Sequence, residues 1–217
     1  LTAKFTPEIL RMVEEAQPFA DLIPEPTVAD AVLQYVSNLT QFGFIVAVVL
    51  GMGAIAGEKE RGTAEMMLSK PLPRWAFVLS KFAAQAILYL GGFVVAGLTA
   101  YYYTLVLFEP LDFGAFVLGN GVLLLWLLVY TAVTTLGSAV ANSTSMAAGL
   151  ALAGAVLIFL LGTMPQIAGL APGALVNWAT QLGVESVPFN GGAIAANMTL
   201  ILVLLVTAVA VFEVQEL

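Results

Sequence analysis

Long apolar runs separated by short polar breaks set the pattern of this chain, and one break differs in kind from the rest. An apolar run ends near Ala56 and a longer one opens near Trp75. Between them lies Gly57-Glu58-Lys59-Glu60-Arg61-Gly62-Thr63-Ala64-Glu65, continuing through Met66, Met67 and Leu68 to Lys70-Pro71-Leu72-Pro73-Arg74. The runs are continuous rather than alternating, which fits apolar helices and not barrel strands. They predict five spans, at about 31–57, 75–108, 113–141, 146–164 and 193–212.

The other breaks are turn and cap signals. Thr27-Val28-Ala29-Asp30 is a capping signature that opens the first span. Glu109-Pro110-Leu111-Asp112 predicts a tight acidic turn, and Asn142-Ser143-Thr144-Ser145 a short polar one. Residues 165–192 form a longer connection broken by Pro165, Pro172, Pro188 and Gly191-Gly192, with room for a short helix over 173–182 carrying Trp178. Upstream, Thr6-Pro7-Glu8 starts a helix with an apolar stripe, read equally as an amphipathic helix on a membrane surface or a solvated linker helix.

Composition sharpens the fold class. Of 217 residues, 60% are hydrophobic and 10% charged, and the mean hydropathy is +0.98. A soluble domain carries about 25% charged residues, so too little polar surface is left to face water. The expectation is an all-α, polytopic membrane helix bundle forming one domain over 31–217, with 1–30 as a separate segment. No cysteine or histidine occurs, which removes thiolate chemistry, imidazole metal ligands and His-based catalysis. A net charge of −7, with the few basic residues interleaved among glutamates, gives no footprint for nucleic acid.

Five of the seven basic residues fall between Lys59 and Lys81. Basic residues beside spans stay on the cytoplasmic side. Counting crossings from there puts 1–30, 109–112 and 165–192 outside, and 142–145 and the C-terminus inside. An external N-terminal segment without a signal peptide leads to the expectation of one further span before Leu1, six in all.

The charged stretch has its own local logic. Glu58 and Arg61 stand at i, i+3; Gly62 breaks the helix; Thr63 caps a new one, with Glu65 in its first turn. Pro71 and Pro73 stop that helix, and Arg74 and Lys81 are placed to reach lipid headgroups. Composition by itself favours an ordinary positive-inside loop, although Met66, Met67 and Leu68 are unusually apolar for one.

Ala56-Gly57-Glu58-Lys59-Glu60-Arg61-Gly62-Thr63, followed by Leu68-Ser69-Lys70-Pro71, Arg74 and Lys81, resembles the segment after the second span of type-2 ABC exporter permeases. The motif covers about 25 residues, and the spacing of the remaining spans fits that family. The resemblance implies six spans per subunit, a cytoplasmic coupling helix at about 63–70, and an external cap at 165–192. It also implies a permease that works as a pair, a homodimer, with a separate ABC ATPase that binds ATP and Mg. The chain itself would be no enzyme and hold no cofactor. It would sit as a multi-pass protein in the cell (inner or plasma) membrane. Glu58, Lys59, Glu60, Arg61, Gly62, Thr63, Glu65, Met66, Met67, Leu68, Pro71 and Arg74 would form the ATPase-coupling interface. The methionines and Leu68 would enter a cleft, and the charges would form a polar rim.

No Gly-x-x-x-x-Gly-Lys-Ser/Thr and no His-Glu-x-x-His occurs, so a nucleotide site has to lie elsewhere and an intramembrane protease is disfavoured. Polar residues inside the spans are candidates to line a path: Gln41, Gln85, Asn120, Thr131, Thr134, Thr135, Ser138, Asn197 and Thr199. Hydrogen bonding between helices is the more ordinary use of each. Two other readings stay open: a membrane scaffold or assembly subunit that docks a soluble partner without transport, and, less favoured, an ion-coupled carrier.

Overall fold

A computed structural model describes residues 27–68, 73–108, 111–183 and 187–215. The amphipathic helix expected before residue 27, and Lys70 and Pro71, lie outside the described residues, as do the side chains of Glu65 and Leu68.

Every regular element among the described residues is a helix: α1 Val28–Met52, α2 Ala56–Glu60, α3 Thr63–Leu68, α4 Arg74–Leu107, α5 Phe113–Val140, α6 Thr144–Gly162, α7 Pro172–Leu182 and α8 Gly191–Glu213. Five segments are long and apolar enough to cross a membrane: 28–60, α4, α5, α6 and α8. Local chemistry starts most of them. Thr27 and Asp30 close a capping box on α1. The Asp112 carboxylate accepts from the Ala115 amide, the Ser143 hydroxyl from Met146, and the Asn190 amide oxygen from Ala193, capping α5, α6 and α8. Pro172 opens α7.

The α5 helix is the axis of the bundle, packed against α1, α4, α6, α7 and α8. Without a hydrophobic force between helices in lipid, close approach relies on small residues. A Cβ added to Gly137 would lie 3.2 Å from the Ala147 carbonyl of α6, and one added to Gly154 would lie 2.8 Å from Val133. By contrast a Cβ on Gly91 or Gly92 of α4 would meet nothing within 4 Å, and of the α4 glycines only Gly97 packs, against Asn120.

Two cores lie at opposite ends of α5. At its start, Val122, Leu123, Trp126 and Leu127 meet Val32 and Val36 of α1 and Leu175, Trp178 and Leu182 of α7. Thus α7 is wedged into the bundle rather than lying loosely over it. At its finish, Ala139 joins Ile55, Ala64, Phe77, Val78, Ala208 and Phe212 in a second, smaller core. This second core sits directly beneath the charged stretch.

Candidate functional site

The first span stops earlier than its apolar run suggests. The α1 helix ends at Met52, and the chain turns through Gly53 and Ala54 before α2 begins at Ala56. The break is stitched by one side chain from α5. The Ser138 hydroxyl donates to the Met52 carbonyl at 3.0 Å and accepts from the Ile55 and Ala56 amides at 3.1 and 2.9 Å. A broken helix leaves orphan backbone groups, and here a buried serine supplies them with partners. Ser138 was weighed above as a path candidate or, more ordinarily, as a bond between helices; it makes the latter here, to partners far along the chain.

Past that break the charged side chains turn inward, toward helix ends of this same chain. Glu58 pairs with Lys81 of α4, not with Arg61 as its spacing suggested. Lys81 also lies 5.1 Å from the centre of the Phe77 ring, so it is engaged within the protein rather than reaching for headgroups. Lys59 donates to the Ala139 carbonyl at 2.8 Å and to the Gln215 side chain at 3.0 Å. Ala139 is in the last turn of α5, where a cation also meets the negative end of the helix dipole. The Glu60 carboxylate accepts from the Thr144 amide and hydroxyl, both at 3.0 Å, at the opposite, positive end of α6.

The turn between α2 and α3 depends on Gly62, whose φ of +69° is the left-handed conformation open to glycine. Thr63, expected as a cap, is instead the first residue of α3, and its hydroxyl donates back to the Glu58 carbonyl at 3.1 Å. Ala64 is fully buried in the lower core, so α3 is fixed by its first turn. Its outer face is open: Met66 is 71% exposed and Met67 43%. Arg61 and Glu60 are exposed beside them.

On the far side of α3, Arg74 does not reach headgroups as expected. One guanidinium nitrogen donates to the Phe212, Glu213 and Gln215 carbonyls at 3.3, 2.9 and 2.7 Å, capping the end of α8. Phe77 stacks on Phe212 at 5.3 Å beneath that cap. The residues around the short α3 helix are therefore bolted to α4, α5, α6 and α8 at once.

The polar residues of the spans are dispersed. Thr131, Thr134 and Thr135 are buried and donate to carbonyls four residues earlier in α5. Asn120 accepts from Tyr35 and donates to the Phe116 carbonyl, while buried Gln85 accepts from Tyr89 at 3.4 Å. Asn197 donates to the Leu170 and Ala193 carbonyls at 3.0 and 2.8 Å, tying α8 to the connection before α7. Thr199 bonds its own helix. Gln41 alone of the path candidates lines an apolar groove of ≈ 580 Å³ between α1, α5 and α6. Among the described residues no cluster of acidic side chains could hold a metal ion.

Comparison with known proteins gives a consistent picture. The family model described as ABC-2 family transporter protein matches residues 11–216. The chain is also similar to an uncharacterized transmembrane protein of Bacillus subtilis (strain 168), YxlG. The two are 28% identical over 188 residues, which cover 83% of this chain and 72% of that one.

Proposed function

This chain belongs to the ABC-2 transporter family, and from that premise we propose that it is the permease subunit of an ABC exporter, driven by a separate ATPase through the 57–74 segment. Membership supplies the ABC transporter context and the multi-pass membrane setting. The coupling step is supported by one observation above all. A two-turn helix presents exposed Met66 and Met67 while its flanks are bonded to four spanning helices.

A lever needs both properties: an open surface to grip and a stiff connection behind it. Met66 and Met67 enter a cleft of the ATPase. Arg61 and the open side of Glu60 form the polar rim, where charges set register more than affinity. When two ATPase subunits close on ATP and Mg, the movement of α3 tilts the helices bonded around it. In this reading the α3 end of the bundle and the C-terminus are cytoplasmic, 165–192 faces outward, and a second copy of the chain completes the path.

The test is a chain carrying Met66→Glu and Met67→Glu. Both side chains are exposed, so the variant stays folded in the membrane. It loses the ATP-hydrolysing subunit that co-purifies with the parent chain. Undiminished co-purification would remove the methionine face from the account.

A further inference from the structure

Gln215, just beyond the end of α8, holds a position that its place in a short polar stretch gave no reason to expect. Its side-chain oxygen accepts from Lys59 at 3.0 Å. Its side-chain nitrogen donates to the Ala139 carbonyl at 3.0 Å, at the end of α5. Its own backbone carbonyl accepts from Arg74 at 2.7 Å. Lys59 stands just before α3 and Arg74 just after it, so this single residue touches both flanks of the short helix.

The neighbouring groups point the same way. Arg74 also takes the Phe212 and Glu213 carbonyls, and Phe212, fully buried, stacks on Phe77 of α4. The end of α8 is thereby threaded between the two arms of the charged segment. At its other end α8 is bonded through Asn197 to the Leu170 carbonyl, in the connection that leads to α7. A continuous helix thus joins the α3 region to the opposite face of the bundle.

We propose that Gln215 is a positioning residue for coupling: it fastens both flanks of α3 to the end of α8, so that α3, the end of α5 and α8 move as one body. This rests on the coupling reading above and adds to it the helix that receives the motion and the residue that transmits it. Apolar packing of α8 on α4 and α5 sets no directed tie between the end of α8 and the two flanks of α3. Three directed hydrogen bonds at one residue supply that tie. The Lys59 bond is charge-assisted, the stronger kind.

The chain contains no cysteine, so introduced pairs can be crosslinked without background. Trp75 and Val214 are 52% and 82% exposed, flank the latch, and lie outside the docking face. Trp75→Cys and Val214→Cys are joined with bifunctional thiol reagents of graded length. The sample is the complex with the co-purifying ATPase, both nucleotide-free and trapped with ATP and vanadate. With Gln215 in place, the shortest reagent that joins them is the same in both states. With Gln215→Ala that reagent fails in one state while ATP hydrolysis and ATPase retention persist. Gln215→Glu, which keeps the acceptor for Lys59 but cannot donate to the Ala139 carbonyl, restores it in part. A merely stabilising residue would lower yield equally in both states, and that result overturns the proposal. So does a parent chain whose shortest reagent already changes between states. Absence of any co-purifying ATPase from the unsubstituted chain overturns the coupling reading itself and is seen before any crosslink is made.

Discussion

Ser138 bonds three backbone groups of a segment that begins 86 residues before it. Ile55 and Ala56 are fully buried, so their amides have no access to water. Ser138→Ala removes the only acceptor shown for them, and leaving buried donors unpaired costs about 1–3 kcal/mol. Unfolding of the purified protein in detergent should show a loss of that order, against little change for Ser80→Ala, whose hydroxyl bonds only its own helix. A loss no larger than that control would mean that the turn after Met52 is held by packing. The glutamates and basic residues of the charged stretch were legible as a motif from their order alone. What each one does was not. Glu58, Lys59, Glu60 and Arg74 all bond groups on other helices, and no local spacing encodes which helix end will be nearby.

At the level of elements, the starts of helices were far more readable than their ends. Thr27 with Asp30, and Ser143 in its polar turn, are local signals and cap α1 and α6 as their sequences indicate. The end of α1 at Met52 was not readable, because the apolar run continues to Ala56 and the turn there lies in close contact with α5, a helix far along the chain. Gly51 shows this contact. A Cβ there would come within 2.5 Å of the Thr134 Cγ2 and 2.9 Å of its Cβ. Gly51→Ala is therefore expected to destabilise by about 1–3 kcal/mol through overpacking. Adding Thr134→Ser removes the nearer methyl and keeps the hydroxyl bonded to Tyr130, so the double variant should recover part of the loss. A double-mutant cycle measured by denaturant unfolding reads the coupling. Simple additivity would place the α1–α5 contact elsewhere.

Across the whole molecule, charge and packing divide the work between two ends. At one end α7 is sealed into an apolar core around Trp126 and Trp178. At the other, ionic and polar groups bind five helix ends together around a short helix that exposes sulfur-bearing side chains. The fold class, all-α and multi-pass, was legible from hydropathy because lipid leaves a chain so few alternatives. The dispersed span residues were not resolved by sequence. A threonine that bonds its own carbonyl four residues back looks the same in one dimension as one that faces a path. Thr131 and Thr135 both bond carbonyls of their own helix.

The most direct measurement is a crosslink from the exposed tip of α3. A photoactivatable thiol reagent attached at Met66→Cys in the otherwise cysteine-free chain reports its neighbours in intact membranes. The account predicts a product with an ATP-hydrolysing subunit, and access of the reagent to that cysteine from the cytoplasmic side. A cysteine reached only from the external side, or products with lipid and no such subunit, would contradict it.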